Sequence, residues 1–592
     1  MRINRYARIE DYALIGDGRT AALVARDGSI DWLCLPNFDS PSIFAAALDP
    51  TRGGTFELQP VSTFESTRRY VADTNVLETT FTTGAGCVRV VDALTLPNHG
   101  LEPMRELARS IEGVSGRVPM RWRFAPRFDY GQTRPRWHRR GRMMVAANHV
   151  EAVALSSWNA GTAVAGDGDS YGTFEMHAGD RALLAMSTAY AEPLIDSPRG
   201  DVEGRLAHTI AFWRRWTQDR HYDGPWGDAV RRSALVLKIL IFSASGASVA
   251  APTTSLPEAI GGPRNWDYRF CWIRDSNFLI DALLQLGCFD EAHSLFWWFM
   301  QATALTEPEL HVLYRLDGGP GVPERELPLA GYRGSRPVRV GNSAVDQLQL
   351  DIYGGLFETA WLYSEGHHSL DRDTGAVLAR VADHVCDIWR QPDSGIWEVR
   401  NGPFQFTHSK AMCWAALDRA VRLAERGELP SRHVQRWRRE ASAIQDFVET
   451  QCWSASLDSY TRVAGSHDVD ASLLMLPTIR FPNAPRLAST VDAVNRHLRK
   501  DDFVYRYHAD DGVPGSEGCF LNCSFWLVSA LARTGRVADA TALMERLVAR
   551  ANDVGLYSEE IDPANGGFLG NFPQALVHLA LIEAAVAIGS RS

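Results

Sequence analysis

Two stretches of this chain carry residues that could do acid–base chemistry. In Gly395-Ile396-Trp397-Glu398-Val399-Arg400, one acidic residue stands between a large aromatic and an aliphatic side chain, on a turn that opens with glycine. A carboxyl held partly dry has a raised pKa, which is what a general acid working near neutral pH requires. Such an acid needs a second carboxylate facing it, and Leu556-Tyr557-Ser558-Glu559-Glu560-Ile561-Asp562-Pro563 offers one far downstream. Paired carboxyls of this kind suit hydrolysis of a sugar linkage, with Glu398 and Glu559 at its centre. The plainer alternative is that Glu398 pairs with Arg400 or another neighbouring base.

Other polar-aromatic clusters surround these two. In Arg264-Asn265-Trp266-Asp267-Tyr268-Arg269-Phe270-Cys271-Trp272-Ile273-Arg274-Asp275-Ser276, aromatics interleave with Arg and Asp. Arginine and aspartate fix sugar hydroxyls while tryptophan covers the apolar face of the ring, so Trp272, Arg274 and Asp275 are candidate binding residues. An internal ion-pair cluster of Arg269 or Arg274 with Asp267 or Asp275 is the competing account. Further candidates are Arg336 and Gln347, Trp397 beside the acid, Lys410 in Phe406-Thr407-His408-Ser409-Lys410, and Arg506 with Glu517. Asn571, in Gly570-Asn571-Phe572-Pro573-Gln574, either joins them or caps the last helix.

The elements that must position these residues follow from composition and period. A chain of 592 residues is too long for one compact core. Hydrophobic residues make up 45% and charged residues 22%, an ordinary globular balance. The net charge of −10 argues against a nucleic-acid partner. No stretch approaches the ~20 apolar residues of a membrane span, and no signal-peptide core precedes Glu10. Nine cysteines without a Cys-x-x-Cys pair suggest reduced thiols and a cytoplasmic protein. No metal-ligand cluster stands out.

Up to residue 202 the pattern is β. Runs at 20–26 and 29–35 flank the hairpin turn Asp27-Gly28, and others recur at 54–58, 77–82, 87–92, 120–124 and 143–147, as in an antiparallel sandwich. The basic run Arg134–Arg142 reads as a solvated hairpin flank. Residues 203–225 have helical spacing and form an expected linker. From 226 to 592 about a dozen helices separated by Gly- and Pro-rich loops suggest a closed double ring, an (α/α)6 barrel.

Several long motifs together resemble glycoside hydrolase family 15, the family of glucoamylases and bacterial trehalases. They are Asn265–Ser276, Gly395–Arg400, Ser558–Pro563, Cys523–Val528, Leu569–Gln574 and the opening Gly28-Ser-Ile-Asp-Trp-Leu-Cys-Leu-Pro36. The resemblance spans nearly the whole chain and implies a β-sandwich followed by the six-hairpin barrel. It makes Glu398 the general acid, Glu559 the general base, Arg274 and Asp275 the grip on the terminal glucose, and Arg506 a further sugar-binding arginine. One departure is Glu560, where fungal glucoamylases have Gln. The implied reaction is exo-acting, inverting hydrolysis of an α-glucoside releasing β-glucose, with a water between carboxyls ~6.5–9.5 Å apart.

The expected substrate is a small carbohydrate, trehalose slightly ahead of malto- or isomalto-oligosaccharides. The leaving-group walls are expected from loops such as Glu307–Gly341 and from Pro36–Phe44. A glycoside phosphorylase and a non-catalytic sugar-binding protein are more remote readings. No cofactor is required by the mechanism; phosphate or magnesium dependence and a homo-oligomeric state are left open.

Overall fold

The computed structural model describes residues 2–98, 105–166, 168–190, 192–366 and 368–590. The chain divides into two compact units. The first runs to Arg220 and also takes in Leu327–Val338 and Asn552–Leu556; the second comprises His221–Glu326, Arg339–Ala551 and the chain from Tyr557 onward.

In the first unit, fifteen strands among the described residues pair antiparallel throughout. The 20-residue strand Glu106–Ala125 joins the two layers. Its first half pairs with Gly86–Thr95 and Arg181–Tyr190, and its second half with Thr55–Pro60 and Ser170–His177. The alternation Val118, Met120, Trp122, Phe124 faces the core while Arg117, Arg121 and Arg123 face out, the period a strand buried on one face imposes. The run Arg136–Arg140 is an exposed strand, as its charge implies.

Helix α1 (Arg199–Gln218) begins four residues before the expected linker and is fixed to this unit. Arg205 makes a buried two-pronged pair with Glu106, at 2.7 and 3.0 Å, and the Thr209 hydroxyl accepts from the Leu96 amide. The two remote segments are stitched in by specific bonds. Tyr332 donates to the Ala7 carbonyl, Tyr6 to that of Gly331, and the Asn552 amide to the carbonyls of Glu10 and Tyr12. Nothing local in sequence announces such pairings.

The second unit is the helical barrel. Its helices are α2 (Gly227–Leu240), α3 (Ile273–Gln285), α4 (Phe289–Ala304), α5 (Asp351–Glu365), α6 (Arg372–Ile388), α7 (Thr407–Glu425), α8 (Val434–Gln451), α9 (Ala484–Leu498), α10 (Leu521–Arg533), α11 (Val537–Val548) and α12 (Ala575–Gly589). Packing closes an inner ring α3–α5–α7–α10–α12, completed between α7 and α10 by the short 3-10 helix Ala471–Met475. Outside it lie α2, α4, α6, α8, α9 and α11. Inner helices are buried nearly all round, α12 at almost every position. Outer ones bury a stripe, such as Leu378, Val381, Ala382, Val385 and Cys386 in α6.

All nine cysteines are free, eight of them buried. Among the described residues no helix is long and apolar enough to cross a membrane.

Candidate active site

The inner helices start at one end of the barrel, and a cleft of about 820 Å³ opens there. Arg274 and Asp275 occupy the first turn of α3, Asn522 that of α10, and Gln574 immediately precedes α12. Helix N-termini carry partial positive charge, so this end suits a cluster of carboxylates.

Glu398 sits on the loop between α6 and α7. Gly395 opens the turn with φ +65°, and a Cβ there would stand 2.8 Å from the Phe406 ring, so glycine is required. Glu398 itself is left-handed, with φ +60°, an outlier of the kind that functional loops hold under constraint. The constraint is visible: Gln347 donates to the Glu398 carbonyl at 3.2 Å, and Arg274 to that of Ile396 at 2.9 Å. Asp393, lower in the loop, accepts from the Leu350 amide and the Ser409 hydroxyl. On the carboxyl itself, Trp272 Nε1 donates to Oε1 at 2.9 Å and Arg274 Nη1 stands 3.9 Å away. Burial lifts the Glu398 pKa, and Arg274 and Trp272 take back only part of the rise.

Glu559 is fully buried. The Asn571 amide donates to its Oε2 at 3.0 Å, while Oε1 has no direct protein donor. Burial pushes its pKa up to about 7, opposed by the Tyr268 hydroxyl, the Asn571 amide and Arg506, which favour the ionised form. Tyr268 lines the cleft and feels the charges of Glu559, Glu258 and Glu398.

Gly570 backs the base. With φ +71°, it leaves no room for a Cβ, which would fall 2.4 Å from Glu559 Oε2. Gly570→Ala must therefore push the carboxylate aside, and a base misplaced by about 1 Å costs up to ~10²-fold. The expected result is a fall in kcat of about ten- to a hundredfold with little change in KM; a kcat equal to wild type would mean that this carboxylate is not positioned for the reaction.

Glu560 lies in different company. The Gly518 amide donates to its Oε2 at 2.6 Å, and its Oε1 has no donor. Single carboxylate oxygens of Glu258, Glu517 and Glu560 come within 4.8 Å of one another. Burial pushes Glu258 up to about 8 and Glu560 well above the carboxylate range, the neighbouring carboxyls adding to the rise. Burial and the neighbouring carboxyls thus favour the protonated form of Glu560. This trio is the metal-ligand-like grouping among the described residues. Its positive charge is already supplied by guanidiniums: Arg506 pairs with Glu517 and stands 3.6 Å from Glu258, and Arg264 approaches the same two at 3.2 and 3.8 Å.

Of the residues singled out from sequence, Glu398, Trp272, Arg274, Asp275, Gln347, Trp397 and Arg506 line the cleft. Trp397 donates to Asp470 at 3.1 Å and packs edge-on to Phe520, with the Arg506 guanidinium over both rings. Glu517 stands behind Arg506 as its ion-pair partner. Asn571 holds Glu559 through its amide and Trp266 through its side chain; the N-cap of α12 is Gln574. Lys410 is fully buried and gives two protons to the Trp389 and Gln391 carbonyls, both at 2.6 Å, so it supports the acid loop from behind. Arg336 belongs to the sandwich unit, donates to the Ala330 carbonyl and is not one of the side chains lining the cleft. Both ion pairs of the alternative form: Asp267 with Arg269, buried, at 2.7 and 2.8 Å, and Arg274 with Asp275 at 2.9 Å, the latter pair on the cleft wall. Arg264, Trp266, Tyr268 and Glu258 also line the cleft and are not picked out individually by the sequence reading.

A helical barrel with Glu398 on its cleft and Glu559 fully buried, both carboxyls shifted upward by burial, is that of a glycoside hydrolase. Within that class the chain belongs to glycosyl hydrolases family 15, whose description matches residues 224–586. A trehalase-like N-terminal domain matches residues 3–173. A trehalase of Mycobacterium tuberculosis is 38% identical over 98% of this chain and 90% of its own length. One of Thermoplasma volcanium is 36% identical over 98% and 94%. In fold the chain is similar to a bacterial glucoamylase complexed with acarbose, with a TM-score of 0.72, 14% identity, and 99% and 94% of the two chains covered.

Proposed function

We propose that this chain hydrolyses trehalose, an α-glucoside, by direct displacement with water. The observation that carries the reading is two carboxyls raised by burial that both act on Tyr268: Glu398, on the cleft wall and held by Trp272 and Arg274, and Glu559, fully buried and held by Asn571. Arg274 and Asp275, joined at 2.9 Å, grip the hydroxyls of the terminal glucose. Glu398 protonates the bridging oxygen as the C1–O bond breaks, and Glu559 takes a proton from the water attacking the opposite face. No metal or other cofactor takes part in these steps. Trehalose is favoured over longer glucans by the trehalase relatives that match nearly full length. The free, buried thiols suit a reducing, cytoplasmic setting.

Because the acid must be protonated and the base ionised, activity rises with pH as Glu559 ionises and falls as Glu398 does. Both carboxyls are shifted upward by burial, so the bell is expected at higher pH than two unperturbed carboxyls would give. Proton NMR of the first product should show β-glucose ahead of mutarotation, and kcat/KM should be highest for trehalose among trehalose, maltose, isomaltose and maltotetraose. Initial α-glucose would exclude the water-activating role of Glu559. Cleavage of maltotetraose with trehalose untouched would replace the substrate while keeping the two-carboxyl mechanism.

A further inference from the structure

The residues that read the leaving sugar are a separate question from those that grip the terminal glucose. Arg274, assigned to the glucose grip above, is tied to the Ile396 carbonyl, two residues before Glu398. Two residues past the acid, Arg400 lines the same cleft with its side chain 36% exposed. Its guanidinium lies 4.6 Å from the centre of the Trp266 ring, and its Nη2 is tied to the Ser343 hydroxyl at 2.8 Å and to Glu324 at 3.3 Å. Its backbone amide is fixed to the Asp511 carbonyl. Trp266 is pinned in turn, donating from Nε1 to Glu258 at 2.9 Å. Glu324 also holds Arg339, whose guanidinium lies over the same ring at 4.8 Å.

The result is a planar fork immobilised at one nitrogen. Its Nε and Nη1 have no hydrogen-bond acceptor among the described residues, and the side chain lines the cleft. Glu324 already balances the charge, so the remaining donors suit neutral hydroxyls better than an anion.

We propose that Arg400, laid over Trp266 and anchored by Ser343 and Glu324, is the specificity-determining group for the departing sugar, donating to hydroxyls of a second hexose ring. This rests on the hydrolase reading above and extends it to the other half of the substrate.

The test compares two leaving groups in one variant. Arg400→Ala should lower kcat/KM for trehalose by about 10- to 100-fold, chiefly through KM, the range expected for losing a charge-assisted hydrogen bond. Hydrolysis of α-glucosyl fluoride, which has no second ring, should stay within about threefold of wild type. Arg400→Lys, which keeps the charge but not the fork, should recover only part of the loss. Glu324→Gln, which keeps the Arg400 side chain itself, provides a second folded variant and should shift KM for trehalose with the fluoride unaffected. Equal losses on both substrates would mean that Arg400 acts through Glu398 and would overturn the assignment, as would wild-type kinetics on both. A gain in affinity for inorganic phosphate in wild type over Arg400→Ala, with trehalose KM unmoved, would identify an anion site instead. A wild-type enzyme that releases no glucose from any disaccharide would overturn the functional reading itself.

Discussion

Glu398→Gln yields a folded enzyme that hydrolyses trehalose about 10²–10⁴ times more slowly than wild type, equivalent to about 3–5 kcal/mol of transition-state stabilisation. The amide occupies the same volume and its oxygen can still accept the 2.9 Å bond from Trp272. The backbone bonds that hold the left-handed residue, from Gln347 to its carbonyl and from its own amide to Gly395, do not involve the side chain. Melting temperature should therefore change little. What is lost is the proton, which an alkoxide-like leaving sugar needs. Fluoride leaves with less help, so the loss on α-glucosyl fluoride should be at least tenfold smaller. Unchanged trehalose hydrolysis would remove Glu398 from the acid role, and an equal loss on both substrates would mean that the variant damages glucose binding through Arg274, 3.9 Å away.

Much of this site is legible in the sequence because the segment before α3 is extended. In an extended chain alternate residues face the same way. Arg264, Trp266 and Tyr268 line the cleft, while Asn265, Asp267 and Arg269, which alternate with them, do not. A period-two reading of that run would have separated the structural pair Asp267–Arg269 from the functional residues and would have found Tyr268. That burial lifts the Glu398 carboxyl was readable from its own neighbours, Ile396 and Trp397. The sandwich and the barrel were readable from the change of period alone.

What was not legible depends on partners distant in sequence. Lys410 looks like a site residue by proximity to Glu398, but the carbonyls it satisfies belong to the end of α6, and only packing brings them there. Arg336 falls in a segment that pairs with the N-terminal unit through Tyr332 and Tyr6. The inner ring uses a five-residue 3-10 helix, Ala471–Met475, in one of its six positions, too short to show a helical period. Helix α12 starts three residues later than its apolar run suggests. The intervening Phe572 and the residues around it are held by bonds to Thr253 and Tyr557, near Asn571's bond to the base.

The adjacent pair Glu559-Glu560 poses the sharpest remaining choice, and the two amide variants should resolve it in opposite directions. Glu559→Gln should lose about 10²–10⁴ in kcat, because an amide cannot take a proton from the attacking water. Its Oε2 position still accepts from the Asn571 amide, so fold and substrate binding should survive. Glu560→Gln should stay within about tenfold of wild type. Burial beside Glu258 and Glu517 favours the protonated form of the wild-type side chain, and an amide oxygen can accept the Gly518 bond as the carboxyl does. If Glu559 is the base, whose ionised form Tyr268, Asn571 and Arg506 favour, Glu560→Gln should keep the bell-shaped pH profile while Glu559→Gln loses it. Opening space with Glu559→Ala should also let azide attack in place of water, giving β-glucosyl azide and restoring turnover. Loss of activity in Glu560→Gln with Glu559→Gln still active would exchange the two roles. Loss in both, without azide rescue of Glu559→Ala, would mean that the carboxyl cluster around Arg506 acts as a unit and that no single member is the base.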